Sequence, residues 1–281
     1  MLKIIETIGN NKNGNILIEA DNVDALNLLM PEYKGKVDTV IIDPPYNTNI
    51  EYIEYKDASF PGGWAEFIKK RLIPAKELMS ESGVMFIFID ENELVSLLNT
   101  CYTLFGIENT NILIWPKINE RFDANRVEKP VINIKSAHEY IVLCYNNKSK
   151  TIFKNMSNGN PMESIVFDLG TTSSAKDEIA ELLGSRTAFS TPKPVELFKE
   201  LINVSSSKKS IILDFFAGSG TTGHAVMKLN AEDGGHRRFI LITNDENDIC
   251  RTVTNMRLKK AIDAEGYDEG YDFYYMEDES T

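Results

Sequence analysis

The sequence predicts an α/β protein built on a doubly wound, mostly parallel sheet, and three observations carry that prediction. Short β-branched and aromatic runs alternate with helical patterns along most of the chain, as strands and crossover helices do in a parallel sheet. One such run ends in a glycine-rich turn that opens a helix, and another ends in paired prolines that must leave the sheet. The 281 residues, 42% hydrophobic and 26% charged, suit one large α/β domain or two small ones and exclude a disordered or fibrous chain.

Val37–Ile42 is the first clear strand. Trp64, Phe67, Ile68, Leu72, Ala75 and Leu78 then recur at three- and four-residue spacing, the face of one helix, which Pro74 is expected to kink or split. Gly83 should hand over to a strand over 84–89, a helix over 91–105 should stop at Gly106, and strands over 112–115 and 139–145 follow. Residues 146–190, rich in Ser, Thr, Asn, Gly and Lys with one short helical pattern at 176–183, read as an insertion. Thr191-Pro192 reads as an N-cap with proline at the first helical position, leading a helix to about Ile202. Strands over 211–213 and 239–242 and helices over 221–229 and 246–264 complete the winding, and the acidic, aromatic tail 267–281 is expected to form a strand or an edge segment.

Thirty Lys and Arg against 42 Asp and Glu give a net charge of −12, so any nucleic-acid reading must explain how an acidic chain approaches a polyanion. Cys101, Cys144 and Cys250 lie in apolar surroundings without partners at metal-ligand spacing, and the three histidines are scattered. Packed thiols in a reducing compartment and no metal site are expected. The first residues lack a signal-peptide apolar core and no apolar run approaches the roughly 20 residues of a membrane span, which predicts a cytoplasmic protein without a membrane partner.

The glycine turn is Asp214-Phe215-Phe216-Ala217-Gly218-Ser219-Gly220-Thr221-Thr222-Gly223. Lacking Cβ atoms at Gly218 and Gly220, it lets a bulky ligand lie on the backbone at the sheet edge. A Walker A loop would need Gly-Lys-Ser/Thr where His224 and Ala225 follow Gly223. Gly218, Gly220 and Gly223 stand at dinucleotide-fingerprint spacing; a S-adenosylmethionine site would instead use an acidic residue ahead of the glycines, Asp214, and polar groups after the next strand, Asn244 and Asp245.

The second motif is Asp43-Pro44-Pro45-Tyr46-Asn47-Thr48, which turns out of the sheet with a carboxylate, bare carbonyls and an aromatic ring held stiffly together. This cluster suits a planar base with an exocyclic amino group, whose nitrogen is a poor nucleophile because its lone pair is delocalised. Asp43 and the Pro44 carbonyl can each accept an amino hydrogen, favouring a pyramidal nitrogen and stabilising its developing positive charge. The Tyr46 ring offers a stacking face for a base removed from its helix, a role that phenylalanine could equally fill.

With both motifs, the chain resembles β-class DNA adenine methyltransferases, in particular the modification (Mod) subunits of type III restriction-modification systems. That family places its DPPY motif ahead of its FxGxG motif, the circularly permuted order seen here in Asp43 to Tyr46 and Phe216 to Gly220. The resemblance implies the S-adenosylmethionine-dependent methyltransferase fold and methyl transfer to adenine N6 in DNA. It assigns catalysis to Asp43, Pro44, Pro45 and Tyr46, and the base pocket to Asn47 and His138 of His138-Glu139-Tyr140. It assigns the cofactor adenine to Asp21 and Asn22, the closure over its methionine end to Thr191, Pro192 and Lys193, and the remaining cofactor contacts to Asp214, Phe215, Phe216, Ala217, Gly218, Ser219, Gly220, Thr221, Thr222, Asn244 and Asp245. Asp233-Gly234-Gly235 and Arg237-Arg238-Phe239 follow the type III pattern. On this reading 1–145 is the catalytic half, 191–281 the cofactor-binding half of the same domain, and 146–190 a short target-recognition insertion.

Mod subunits are usually about twice this length, and where they carry a Tyr-Pro-Arg segment this chain reads Val253-Thr254-Asn255-Met256-Arg257. None of the three cysteines follows a proline, which disfavours cytosine-C5 chemistry. Cytosine N4, an RNA base, and a catalytically idle DNA-binding subunit stand as alternatives. DNA is the expected partner, with a second copy of the chain, a restriction endonuclease or a separate recognition subunit beside it. Basic patches that could meet DNA are Lys69, Lys70 and Arg71; Arg121, Arg126 and Lys129; and Lys148, Lys150 and Lys154.

Overall fold

The computed structural model describes residues 2–48, 60–123, 134–244 and 246–277. Its centre is a nine-stranded sheet made of β1 (Leu2–Gly9), β2 (Ile16–Glu19), β3 (Val37–Ile42), β4 (Met79–Ile89), β5 (Thr110–Pro116), β6 (His138–Tyr145), β7 (Ile211–Asp214), β8 (Arg238–Thr243) and β9 (Gly270–Met276), in the order β1-β9-β2-β8-β7-β3-β4-β6-β5. From β9 to β4 every neighbour is parallel; β1 joins β9, and β6 joins β4 and β5, antiparallel. The inner strands are apolar on both faces because both are covered. Val40, Met85 and Ile87 pack with α1 (Asn22–Tyr33), α2 (Trp64–Leu78) and α3 (Leu94–Phe105), while Ile41, Phe86 and Phe88 face the side covered by α6 (Val195–Ser205), α7 (Thr221–Asp233) and α8 (Met256–Glu265). The doubly wound architecture is therefore the one the sequence predicts. The short α4 (Glu120–Asp123) and α5 (Thr172–Leu183) complete the helices among the described residues, and none of these is long and apolar enough to cross a membrane.

Several elements differ from the sequence reading. Helix α2 runs unbroken through Pro74, whose buried ring packs on the same face as Leu72, Ala75 and Leu78; that burial offsets the lost hydrogen bond. Strand β4 begins at Met79, and Gly83 lies inside it. A Cβ at Gly83 would stand 2.9 Å from the Val37 carbonyl oxygen, beside the point where the β3–β4 register shifts. The tail strand β9 is interior, between β1 and β2, and β1 takes the edge. Gly270 permits that approach, since a Cβ there would sit 2.1 Å from the Ile8 carbonyl oxygen.

Thr191 does not cap a helix. Helix α6 starts after Pro194, and its Val195 N–H donates to Glu178 Oε2 at 3.0 Å, so a side chain from α5 satisfies one of the free donors at the helix start. The 146–190 segment is in turn docked on the sheet. Ile114 of β5 bonds Ser164 and Val166 through its N–H and carbonyl, 2.8 Å each, and Val166 and Leu169 are buried in the main core. The expected helix over 246–264 is also interrupted: a π-helical stretch, Cys250–Asn255, precedes α8 and brings the Thr254 hydroxyl onto the Gly218 carbonyl oxygen.

The loop after β7 is held by Asp214. Its carboxylate accepts from the Phe216 N–H at 3.0 Å and from the Thr222 hydroxyl. Burial opposes the charge more than these bonds favour it, and the Asp214 pKa is pushed up to about 7 from 3.8. A carboxyl raised on folding contributes stability in full below its unfolded pKa and loses it as pH rises through the folded value. Relative to Asp214→Asn, the parent should therefore lose about 3 kcal/mol of stability between pH 5 and pH 8 in urea unfolding; parallel pH dependences would contradict the raised carboxyl.

Candidate active site

Both motifs open at the carboxyl edge of the sheet, and they do so side by side because β3 and β7 are hydrogen-bonded neighbours, with Thr39 opposite Ile212 and Val40 opposite Leu213. Between them lies a cavity of about 530 Å³, within the range of sites for drug-sized ligands. Of the residues singled out in the sequence, Asp21, Asn22, Asp43, Pro45, Thr191, Pro192, Lys193, Asp214, Phe215, Phe216, Ala217, Gly218, Ser219, Thr221 and Asn244 line it. Asp245, Arg126 and Lys129 lie outside the described residues.

One end of the cavity is built from α1 and α2. Asp21 caps α1, accepting from the Val23 N–H at 2.8 Å. Asn22 donates to the Phe215 carbonyl oxygen at 3.0 Å and accepts from Arg71 Nε at 2.5 Å. The Arg71 guanidinium lies 3.7 Å over the Phe67 ring and 3.5 Å from Asp21 Oδ2. Arg71 was expected on a DNA-facing patch with Lys69 and Lys70, which are exposed; it is instead turned into the cavity with its side chain 12% exposed. The signal for this was the i, i+4 spacing of Phe67 and Arg71, next to the buried stripe of α2. Phe60, Phe67 and Phe216 form a tilted aromatic series, with centroids 4.6 and 6.0 Å apart, that can take one face of a planar group.

The glycine loop forms the middle. Gly218 has φ +47° and faces Phe189, whose ring would be 3.2 Å from a Cβ there. Gly220 and Gly223 do not line the cavity: their Cβ positions fall 3.2 Å from Thr254 Cγ2 and 2.8 Å from Leu258 Cδ2, so they serve close packing of α7 on α8 and the π-helical stretch before it. Thr222 is likewise buried behind the loop, on Asp214. Below it, the fully buried Arg257 donates to Ser219 Oγ at 2.9 Å and Thr221 Oγ1 at 2.8 Å, and stands 3.8 Å from Glu178. Arg257, left unassigned by the divergent Val253 to Arg257 segment, thus supports the loop from beneath.

At the far end Lys193 meets the proline turn. Its Nζ is 2.7 Å from Asp43 Oδ2, 3.1 Å from the Tyr46 hydroxyl and 3.4 Å from Glu139 Oε2, and it is enclosed by the rings of Tyr46, Phe88 and Trp115 at 5.3, 5.5 and 5.9 Å. Burial works against the Lys193 charge, but Asp43 and Glu139 more than offset it and its pKa lies above that of an ordinary lysine. Burial raises the Asp43 pKa, Lys193 opposes the rise and Glu139 adds to it. Tyr46 donates its hydroxyl to Asp43 Oδ1 at 2.6 Å and also lies 3.1 Å from Glu139 Oε2, so the hydroxyl has partners that a stacking role alone would not give it. Trp64 Nε1 donates to the Pro45 carbonyl oxygen at 2.6 Å and fixes the turn, while Pro44 is buried.

The two residues expected at the base pocket behave differently. Asn47, in a left-handed conformation at φ 58°, donates to Glu93 Oε1 at 2.7 Å and does not line the cavity. His138 packs edge-on against Tyr140, on the face of β6 opposite to Glu139. Strand parity decides this: Glu139 shares its face with Ile141 and Leu143, and so reaches Asp43, whereas His138 does not. Among the described residues no group of three or more His, Cys, Asp or Glu could hold a metal ion.

The sequence and the fold are similar to those of known proteins. The StyLTI Mod subunit of a type III restriction-modification enzyme from Salmonella typhimurium is 26% identical, covering 85% of this chain and 54% of that protein. The EcoPI Mod subunit from Escherichia phage P1 is also 26% identical, over 84% of this chain and 58% of its own length. The chain therefore spans a little over half the length of these relatives. The fold matches the solved PvuII cytosine-N4-specific DNA methyltransferase (TM-score 0.62, 11% identity, 94% and 95% of the two chains) and M1.HpyAVI in complex with SAM (TM-score 0.56, 22% identity, 86% and 100%). The DNA methylase family that covers N6 and N4 enzymes matches residues 37–255, a span that holds both the proline turn and the glycine loop, and the chain belongs to that family.

Proposed function

We propose that this chain transfers a methyl group from S-adenosylmethionine to the N6 amino group of adenine in DNA, as the modification component of a restriction system. The observation that carries the reading is that Asp43, at the start of the proline turn, lines the same cavity as the glycine loop. The residues present fit the cofactor: an aromatic series with Asp21 and Asn22 suits its adenosine, and Gly218 leaves room for backbone contact where a Cβ would meet Phe189. When bound, the cofactor supplies a methyl group activated on a sulfonium. Asp43 and the Pro44 carbonyl accept the amino hydrogens of the target base, concentrate the nitrogen lone pair and stabilise the positive charge that grows on it. The Tyr46 ring stacks on the displaced base. In this reading 1–145 and 191–281 act as the catalytic and cofactor halves of one domain around 146–190.

The test is methyl transfer from labelled S-adenosylmethionine to unmethylated genomic DNA, with the product base identified by mass spectrometry; N4-methylcytosine would reassign the target. Asp43→Ala should abolish transfer and leave cofactor affinity within a few-fold of the parent, because it removes an interaction that strengthens in the transition state. Gly218→Val should instead weaken cofactor binding in calorimetry, as its side chain meets Phe189.

DNA is proposed as the substrate and a second copy of the chain or an endonuclease subunit as partner. Lys69, Lys70, Lys148, Lys150 and Lys154 are exposed, but Arg121 pairs with Asp168 at 3.3 Å and the chain is acidic overall. The chain by itself should bind DNA weakly, and the binding should fall roughly 10- to 100-fold between about 50 and 200 mM salt. Tight, salt-insensitive binding in a filter assay would contradict a small phosphate footprint.

A further inference from the structure

The methyl-transfer reading leaves the Tyr46 hydroxyl and Glu139 without a task. The hydroxyl carries one proton and stands between two carboxylates, 2.6 Å from Asp43 Oδ1 and 3.1 Å from Glu139 Oε2. Glu139 is buried among the apolar residues of its face of β6. Its far oxygen, Oε1, faces Lys117 Nζ at 3.5 Å, a lysine whose side chain is 23% exposed and reaches water. Among the described residues, the charged groups facing Glu139 come from four segments: Asp43 after β3, Asp90 at the end of β4, Lys117 after β5 and Lys193 before α6.

The chemistry supplies the missing task. An amino nitrogen that gains a methyl group becomes a four-bonded cation and must lose a proton, and that proton lies on the side held by Asp43. We propose that Asp43, Tyr46 and Glu139 form a proton exit from the methylated amino group, with Glu139 as its outer acceptor. An N–H bond breaks as an O–H bond forms on Asp43. The Asp43 proton then passes to the Tyr46 oxygen while the Tyr46 proton passes to Glu139 Oε2. The nitrogen has lost one proton, Glu139 has gained one, and Asp43 and Tyr46 return to their starting states. Lys193 stays in place and keeps the paired carboxylates together. Glu139 does not touch the base, so it is a positioning residue that acts through Tyr46. The inference rests on the methyltransferase reading and adds to it a role for the tyrosine hydroxyl.

The experiment is steady-state methylation of unmethylated genomic DNA by the full chain, in water and in deuterium oxide, for the parent, Glu139→Gln, Tyr46→Phe and the double variant. Each single change should lower kcat about 100-fold, in the range of a lost acid–base step, with KM for DNA and cofactor affinity within about threefold of the parent. The double variant should be no slower than either single one, because a chain is broken only once. Both should show a larger solvent isotope effect than the parent, since proton departure becomes limiting. Glu139→Asp retains the charge facing Lys193 and draws the carboxylate back by one methylene; it should lose kcat as Glu139→Gln does, and it serves where the glutamine variant fails to fold. Parental kcat in Glu139→Gln or Glu139→Asp, or multiplicative losses without an isotope effect, would overturn the exit and leave the methyltransferase reading standing. A parent that transfers no methyl group overturns that reading itself and the exit with it.

Discussion

The ion pair between Lys193 and Asp43 ties together segments 150 residues apart, the proline turn after β3 and the stretch that leads into α6. The lysine is 6% exposed and surrounded by three aromatic rings, so it has little water to fall back on. Removing Lys193 leaves Asp43 and Glu139 facing each other in a low-dielectric site, which costs about 3–5 kcal/mol, whereas removing Asp43 leaves the lysine paired with Glu139 at 3.4 Å. The pair is thus a constraint on how the two motifs meet: Asp43 can stand at the cavity only if the chain before α6 arrives beside it. That arrival is enforced from the other side by Glu178, which accepts the first N–H of α6 and approaches Arg257 under the glycine loop.

The sheet prepares this meeting. Strands β3 and β7 are parallel neighbours, but β3 leads to α2 on one face and β7 leads to α7 on the other. Connections that leave adjacent strands in opposite directions open a crevice at the carboxyl edge, and ligands of doubly wound sheets lie in such crevices. The permuted order of the motifs along the chain does not disturb the site, because the crevice depends on which strands are adjacent and not on which is made first.

Much of this was legible in the residues. The inner strands announce themselves as continuous apolar runs because both faces are covered, and the proline turn and glycine loop are stiff local signals whose position at strand ends follows from backbone chemistry. What escaped was set by tertiary contacts. Strand β1 is largely exposed and carries no apolar run, so it is visible only through its pairing with β9. Pro74 was expected to kink or split α2, but the burial that compensates it exists only in the folded chain. His138 and Glu139 are adjacent in sequence and opposite in space, and only the strand's parity selects the glutamate. Lys193 was read as a cofactor contact; its pairing with Asp43 needs a fold in which two halves of the chain close on each other.

The same dependence on tertiary contact bears on how the proposed DNA substrate would be met. Residues 146–190 have the composition of a surface insertion, yet Val166 and Leu169 are in the core, the Ile114 backbone pairs with the strand-like stretch around Ile165, and Glu178 works beneath the cofactor loop. A segment so engaged is part of the frame that holds the site, and the groups it leaves for a polyanion, Lys148, Lys150 and Lys154, must act against a surrounding net charge of −12. Electrostatic attraction falls off over a Debye length of about 8 Å at physiological salt, so a few lysines help only where the phosphate backbone comes close to them. In the proposed reading, shape at the crevice and the stacking of a displaced base on Tyr46 would carry more of the encounter than long-range charge, beside a turn that Trp64 and Lys193 hold in place.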